Sequence, residues 1–89
     1  MLEDLADVLG EIRHWTGISE PKPGIFYLGR IAFLHFHLQQ ERRWADVRSG
    51  ADWGPSIDVS IGASGAAKKA LLRKLRRCYE KTVGARSRK

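Results

Sequence analysis

The chain has 89 residues, 43% of them hydrophobic, and a formal net charge of +6. That length allows one domain with one modest core, and the composition is that of a folded globule rather than a disordered chain. Cys78 is the single cysteine, which excludes an internal disulfide and fits a reducing compartment, and no apolar run approaches the roughly 18–20 residues of a membrane span.

Met1-Leu2-Glu3-Asp4 is acidic and has neither a basic n-region nor an apolar h-region. No signal peptide is expected, and the expected location is cytoplasmic. Residues 2–14 read as an amphipathic helix, with Leu2, Leu5, Leu9 and Ile12 at spacings of three and four. Thr16-Gly17 ends it. Ile18-Ser19-Glu20 reads as a short edge strand, and Pro21-Lys22-Pro23-Gly24 punctuates the chain. Ile25–Leu28 and Ile31–Leu38 are rich in β-branched and aromatic residues, as strands are. Gly29-Arg30 between them suits a type II′ turn with glycine first. Gln39–Arg42 is a polar reversal, and Arg43–Arg48 is the next strand.

Ser49–Pro55 reads as a loop containing Trp53, with Trp15 and Trp53 expected to seal the edges of the core. Ile57, Val59 and Ile61 alternate with Asp58 and Ser60, the pattern of a half-buried strand. Ser64 is a fitting N-cap for a helix over about residues 65–83, with Leu71, Leu72, Leu75, Cys78, Tyr79 and Thr82 on one stripe. Gly84 is its expected stop and residues 85–89 an expected flexible basic tail. Residues 1–84 then form a single α+β domain. A four- or five-stranded antiparallel meander lies between an N-terminal and a C-terminal helix, as a two-layer sandwich.

The alternation in the central strands sorts residues onto two faces. Leu34, Phe36, Leu38, Ala45 and Val47 fall on one side. His35, His37, Trp44, Asp46 and Arg48 fall on the other, with Tyr27 or Phe33 nearby. If Leu34 lies opposite Val47, His35 meets Asp46 and His37 meets Trp44. A shift of two residues sets His35 against Trp44 and keeps both faces. A shift of one would bury the histidines among aliphatic side chains, which the core resists.

Residues at i and i+2 of a strand point the same way, about 7 Å apart. His35 and His37 with Asp46 can therefore supply a metal site, or Asp46 can orient a histidine acting as general base. His35, His37, Trp44, Asp46 and Arg48 can also line a pocket for a small-molecule ligand, because such pockets mix apolar walls with a few polar groups. The same residues also suit the solvent side of a sheet with ordinary cross-strand pairs. No cofactor is identified by any motif.

Residues 64–89 hold ten basic residues against Glu80 alone, a balance of +9, which leaves −3 for residues 1–63. Lys69, Arg73, Lys74, Arg76, Arg77 and Lys81 fill the side of the last helix opposite its apolar stripe. Such a strip can neutralise the phosphates of nucleic acid or another polyanion, or attract an anionic membrane surface, or form a solvated face toward the acidic first helix. Helix-turn-helix, zinc-finger, ribonucleoprotein and phosphate-loop motifs are absent. Cys78 falls inside the stripe and reads as a small core residue.

The succession Gly17-Ile18, Gly24-Ile25-Phe26, Gly29-Arg30, Phe33-Leu34-His35-Phe36-His37 and Ala45-Asp46-Val47-Arg48 resembles a family of small luciferase-domain or uncharacterised proteins, in which a His-Leu-His-like strand precedes a strand carrying an aspartate. The likeness spans residues 12 to 80 and implies an α+β fold. It does not imply light emission by a chain of 89 residues. Two function classes follow from the residues: a small binding module with a polar sheet face and a basic helix, and a small metal- or ligand-dependent enzyme using His35, His37 and Asp46.

Overall fold

Apolar residues alternating along residues 34–47 build the central hairpin of an antiparallel sheet. The computed structural model describes residues 2–87, and in it β3 (Ile31–Gln39) pairs with β4 (Arg42–Ser49). Leu34 lies opposite Val47, His35 opposite Asp46, Phe36 opposite Ala45 and His37 opposite Trp44. This is the first of the two registers that keep the faces intact. β1 (Ile18–Lys22) and β2 (Ile25–Leu28) extend the sheet in the order β1-β2-β3-β4. The free edge of β4 is covered by two short strands, β5 (Asp52–Trp53) and β6 (Ile57–Asp58).

Both helices pack on one face of this sheet. A 3-10 turn over Glu3–Leu5 leads into α1 (Ala6–Arg13), and α2 (Gly65–Ser87) closes the fold. Leu5 and Ile12 from the N-terminal segment, Leu71, Leu75 and Tyr79 from α2, and Phe26, Phe36 and Val47 from the sheet share one core. The architecture is the two-layer α+β sandwich expected from the element order. Trp15 is buried against Tyr79, with ring centroids 5.0 Å apart, and Tyr79 Oη donates to Thr16 O at 2.6 Å. This fastens the end of α1 to α2.

Phe33 departs from the alternating pattern. Tyr27 pairs with Ala32 and Phe26 with Leu34, which leaves Phe33 as an extra residue on β3. Such a bulge turns one side chain out of sequence. Phe33 and Leu34 are therefore both buried, and Phe33 meets Tyr79 edge-on at 6.0 Å. It belongs to the core and not to the histidine face.

The stretch after β6 also differs from its expected form. Val59 is buried and still bonds Arg43 O through its N–H, but Ile61 is 57% exposed in a turn. The reason lies in the polar groups. Ser60 O accepts from Arg43 Nη2 at 2.6 Å, and Gly62 N donates to Asp4 Oδ2 at 2.9 Å. Satisfying this pair bends the backbone away from the sheet.

Ser64 caps α2 as its sequence position suggests, its hydroxyl accepting from Ala67 N at 3.1 Å. The helix does not stop at Gly84 but runs to Ser87. Arg86 donates to Leu28 O at 2.8 Å across the end of the β2–β3 hairpin. Gly29, with φ 62, is packed so closely under this guanidinium that a Cβ there would lie 2.6 Å from Nη1. Residues 85–87 are thus helix rather than tail, and Arg86 docks it on the hairpin. Arg88 and Lys89 lie outside the described residues.

Candidate functional site

The faces of β3 and β4 that turn away from the helices carry the residues singled out by the alternation. His35 and His37 have ring centroids 4.0 Å apart. His37 stacks on Trp44 at 4.9 Å with an interplanar angle of 14°, and the Arg42 guanidinium sits 4.9 Å from the Trp44 ring centre. Across the hairpin, His37 Nε2 lies 2.8 Å from Asp46 Oδ2. Asp46 Oδ1 accepts the hydroxyl of Ser56 at 2.5 Å. Tyr27 lies half-buried on the outward side of β2, opposite Ala32.

Burial pushes the pKa of His35 down, and the neighbouring His37 adds to this, while the Asp46 carboxylate pulls the other way. Burial and His37 together favour the neutral His35 ring over its cation. The order of the Ser56, Asp46 and His37 contacts matters chemically. The serine hydroxyl is directed at the carboxylate and not at an imidazole.

His37 and Asp46 bond to each other instead of converging with His35 on a common point. Among the described residues, no group of three His, Cys, Asp or Glu side chains could hold a metal ion. Of the three residues considered for a metal, His37 and Asp46 therefore form a pair, and the His35 ring packs at a tilt against His37.

Arg48 is held in place by the fold. Its Nε donates to Ala32 O at 2.9 Å, its Nη1 to Ala51 O at 3.1 Å, and its guanidinium covers Trp53 at 4.8 Å. Trp53 does not seal the core. It stands 46% exposed on β5 and, with His35, His37 and Asp46, lines a cavity of about 340 Å³ on the open face. Sequence reasoning missed Trp53 as a site residue because it sits in a stretch that read as loop, and Ser56 because it falls between that loop and the strand after it. The signal that could have placed Trp53 was its spacing from Arg48 across Gly50, which is the spacing of a tight hairpin.

Comparison with protein-family models, curated proteins and solved structures finds no match.

The six basic residues on the side of α2 opposite its apolar stripe divide into two groups. Arg76 is engaged: its Nε donates to Glu80 Oε2 at 3.1 Å, and its guanidinium lies 5.3 Å from the Trp15 ring and 4.9 Å from the Tyr79 ring. Lys69, Arg73, Lys74, Arg77 and Lys81 are exposed, and none has a carboxylate partner among the described residues. The acidic N-terminal segment reaches α2 through a different residue, Lys68, whose Nζ is 3.0 Å from Asp7 Oδ2.

A second cavity, of about 560 Å³, lies between α2 and the edge of the sheet. Lys74, Arg77 and Lys81 border it from the helix, and Gly54, Pro55 and Ser56 border it from the edge segment. Cys78 is half-buried against the core and faces this cavity as well.

Proposed function

We propose that this domain is a binding module for nucleic acid, holding the phosphate backbone on the outer face of α2. The observation that carries this reading is the set of five exposed cations, Lys69, Arg73, Lys74, Arg77 and Lys81, without carboxylate partners among the described residues. Such cations in a row on one rigid helix keep a positive field that a phosphate backbone can neutralise with release of counterions. Phosphate contacts carry no base identity, so binding is sequence-indifferent and weakens steeply with salt.

The test is a titration of fluorescently labelled DNA and RNA at two salt concentrations, with the chain and with an Arg73→Gln/Arg77→Gln/Lys81→Gln variant. The variant should bind more weakly and show a shallower salt dependence, by roughly 0.7–0.9 in slope for each phosphate that is no longer neutralised. No binding at low salt, where screening is weakest, would remove the reading.

A second reading concerns the open sheet face. The cavity bounded by His35, His37, Asp46 and Trp53 favours a small aromatic ligand, since three of its four walls are rings. A metal-dependent enzymatic use of His35, His37 and Asp46 has less support, because among the described residues these side chains do not form a group that could hold a metal ion. The resemblance to luciferase-domain proteins adds no activity to either reading.

A further inference from the structure

We infer that the nucleic acid this domain takes is single-stranded, with its phosphates along Lys74, Arg77 and Lys81 and an unpaired base stacked on Trp53. This rests on the nucleic-acid reading of α2 and extends it to the sheet edge.

The two cavities are separated by one backbone segment. Trp53 pairs with Arg48, Gly54 N donates to Val47 O at 2.8 Å, and Ile57 pairs with Ala45. β5 and β6 are therefore one edge strand broken by a bulge at Gly54–Ser56. Trp53 lines the cavity on the open face, and Gly54, the next residue, lines the basic cavity. Ser56 borders the basic cavity while its hydroxyl bonds Asp46 in the other. A strand crossing this edge meets cations first and rings immediately afterwards.

Each side has the chemistry that a single strand needs. Lys74, Arg77 and Lys81 stand at i, i+3 and i+7, a row roughly 10 Å long at the helical rise per residue. Trp53 has one ring face covered by Arg48, whose guanidinium two backbone carbonyls fix. The guanidinium thereby supports one face of the ring while 46% of the residue stays exposed. An exposed aromatic ring near a positive groove is the arrangement on which bases of a single strand stack without sequence preference. His35 adds a second ring to the wall of the same cavity. The bases of a duplex are already stacked inside it and do not reach such a ring.

The experiment compares a short oligothymidylate, a short oligouridylate and a duplex of the same length, all at one salt concentration. Both single strands should bind about tenfold more tightly than the duplex and quench Trp53 fluorescence, identified as the difference between the chain and its Trp53→Phe variant. Trp53→Ala should bring the single-strand to duplex ratio close to one with an unchanged melting temperature, and Trp53→Phe should restore most of it. The DNA and RNA arms decide which backbone is preferred.

Equal binding of single strand and duplex, indifferent to Trp53→Ala, overturns this inference and leaves the nucleic-acid reading standing. Thymidine monophosphate binding as tightly as the oligomer also overturns it, in favour of a mononucleotide pocket. Absence of binding by every nucleic acid at low salt overturns both.

Discussion

Arg43 and Asp4 form a bidentate ion pair, with two hydrogen bonds of 2.7 Å each and the Arg43 side chain only 1% exposed. The pair joins β4 to the 3-10 turn at the N-terminus. It also holds the return segment after β6, through Val59 O and Ser60 O on Arg43 and through Gly62 N and Ala63 N on Asp4. The guanidinium sits at the end of the core face, in line with Ala45 and Val47. It is tolerated there because its donors are matched by acceptors.

Removing one partner leaves a buried charge without compensation. Asp4→Ala is expected to cost about 3–5 kcal/mol, far more than an exposed pair would. Urea denaturation checks this. A loss of less than about 1 kcal/mol would show that water replaces the carboxylate.

The same pair sets an acid limit. The Arg43 hydrogen bonds hold the Asp4 carboxyl well below the usual carboxylate range. A depressed folded pKa means that the stabilisation is complete above the unfolded value of about 3.9 and is lost as pH falls below it toward the folded value. Melting temperature should therefore fall below about pH 4, and Asp4→Asn should remove that part of the pH dependence.

Leu75 is fully buried, and α2 docks on the sheet through its stripe. Leu75→Ala should cost about 2–5 kcal/mol, a large share of a small domain's stability. Thermal or chemical unfolding measures it, and an unchanged midpoint would show that α2 docks by other contacts.

His35 titrates in the opposite part of the pH range. Its folded pKa lies below the ordinary value because of burial and His37. Between the unfolded value of about 6.5 and the lower folded value, the unfolded chain binds the extra proton, so stability declines as pH falls through that window. Because Asp46 raises the His35 pKa, Asp46→Asn should lower it further. NMR titration of the His35 ring reads this directly, and an upward shift would show that the Asp46 charge does not act on it.

The sequence by itself carries the faces of the central hairpin. A period of two, with aliphatic residues on one side, leaves only registers that keep His35, His37, Trp44 and Asp46 together, and the observed pairing of His35 with Asp46 is one of these. Element order likewise carries the two-layer α+β architecture, because each amphipathic helix must cover the apolar side of the sheet.

Tertiary structure decides what depends on distant partners. Phe33 enters the core through a bulge, whose site follows from the pairing of β2 with β3 and not from local pattern. Arg43 falls in line with Ala45 and Val47 on the core side of β4, and its charge is matched there only by Asp4, 39 positions away. Arg86 carries α2 past a glycine that would stop an isolated helix, because Leu28 O lies within its reach. Trp53 becomes part of a site only because β5 folds back on Arg48 and brings its ring beside two histidines. Local periodicity records which side of an element is apolar; these four positions depend on contacts that form only when the elements assemble.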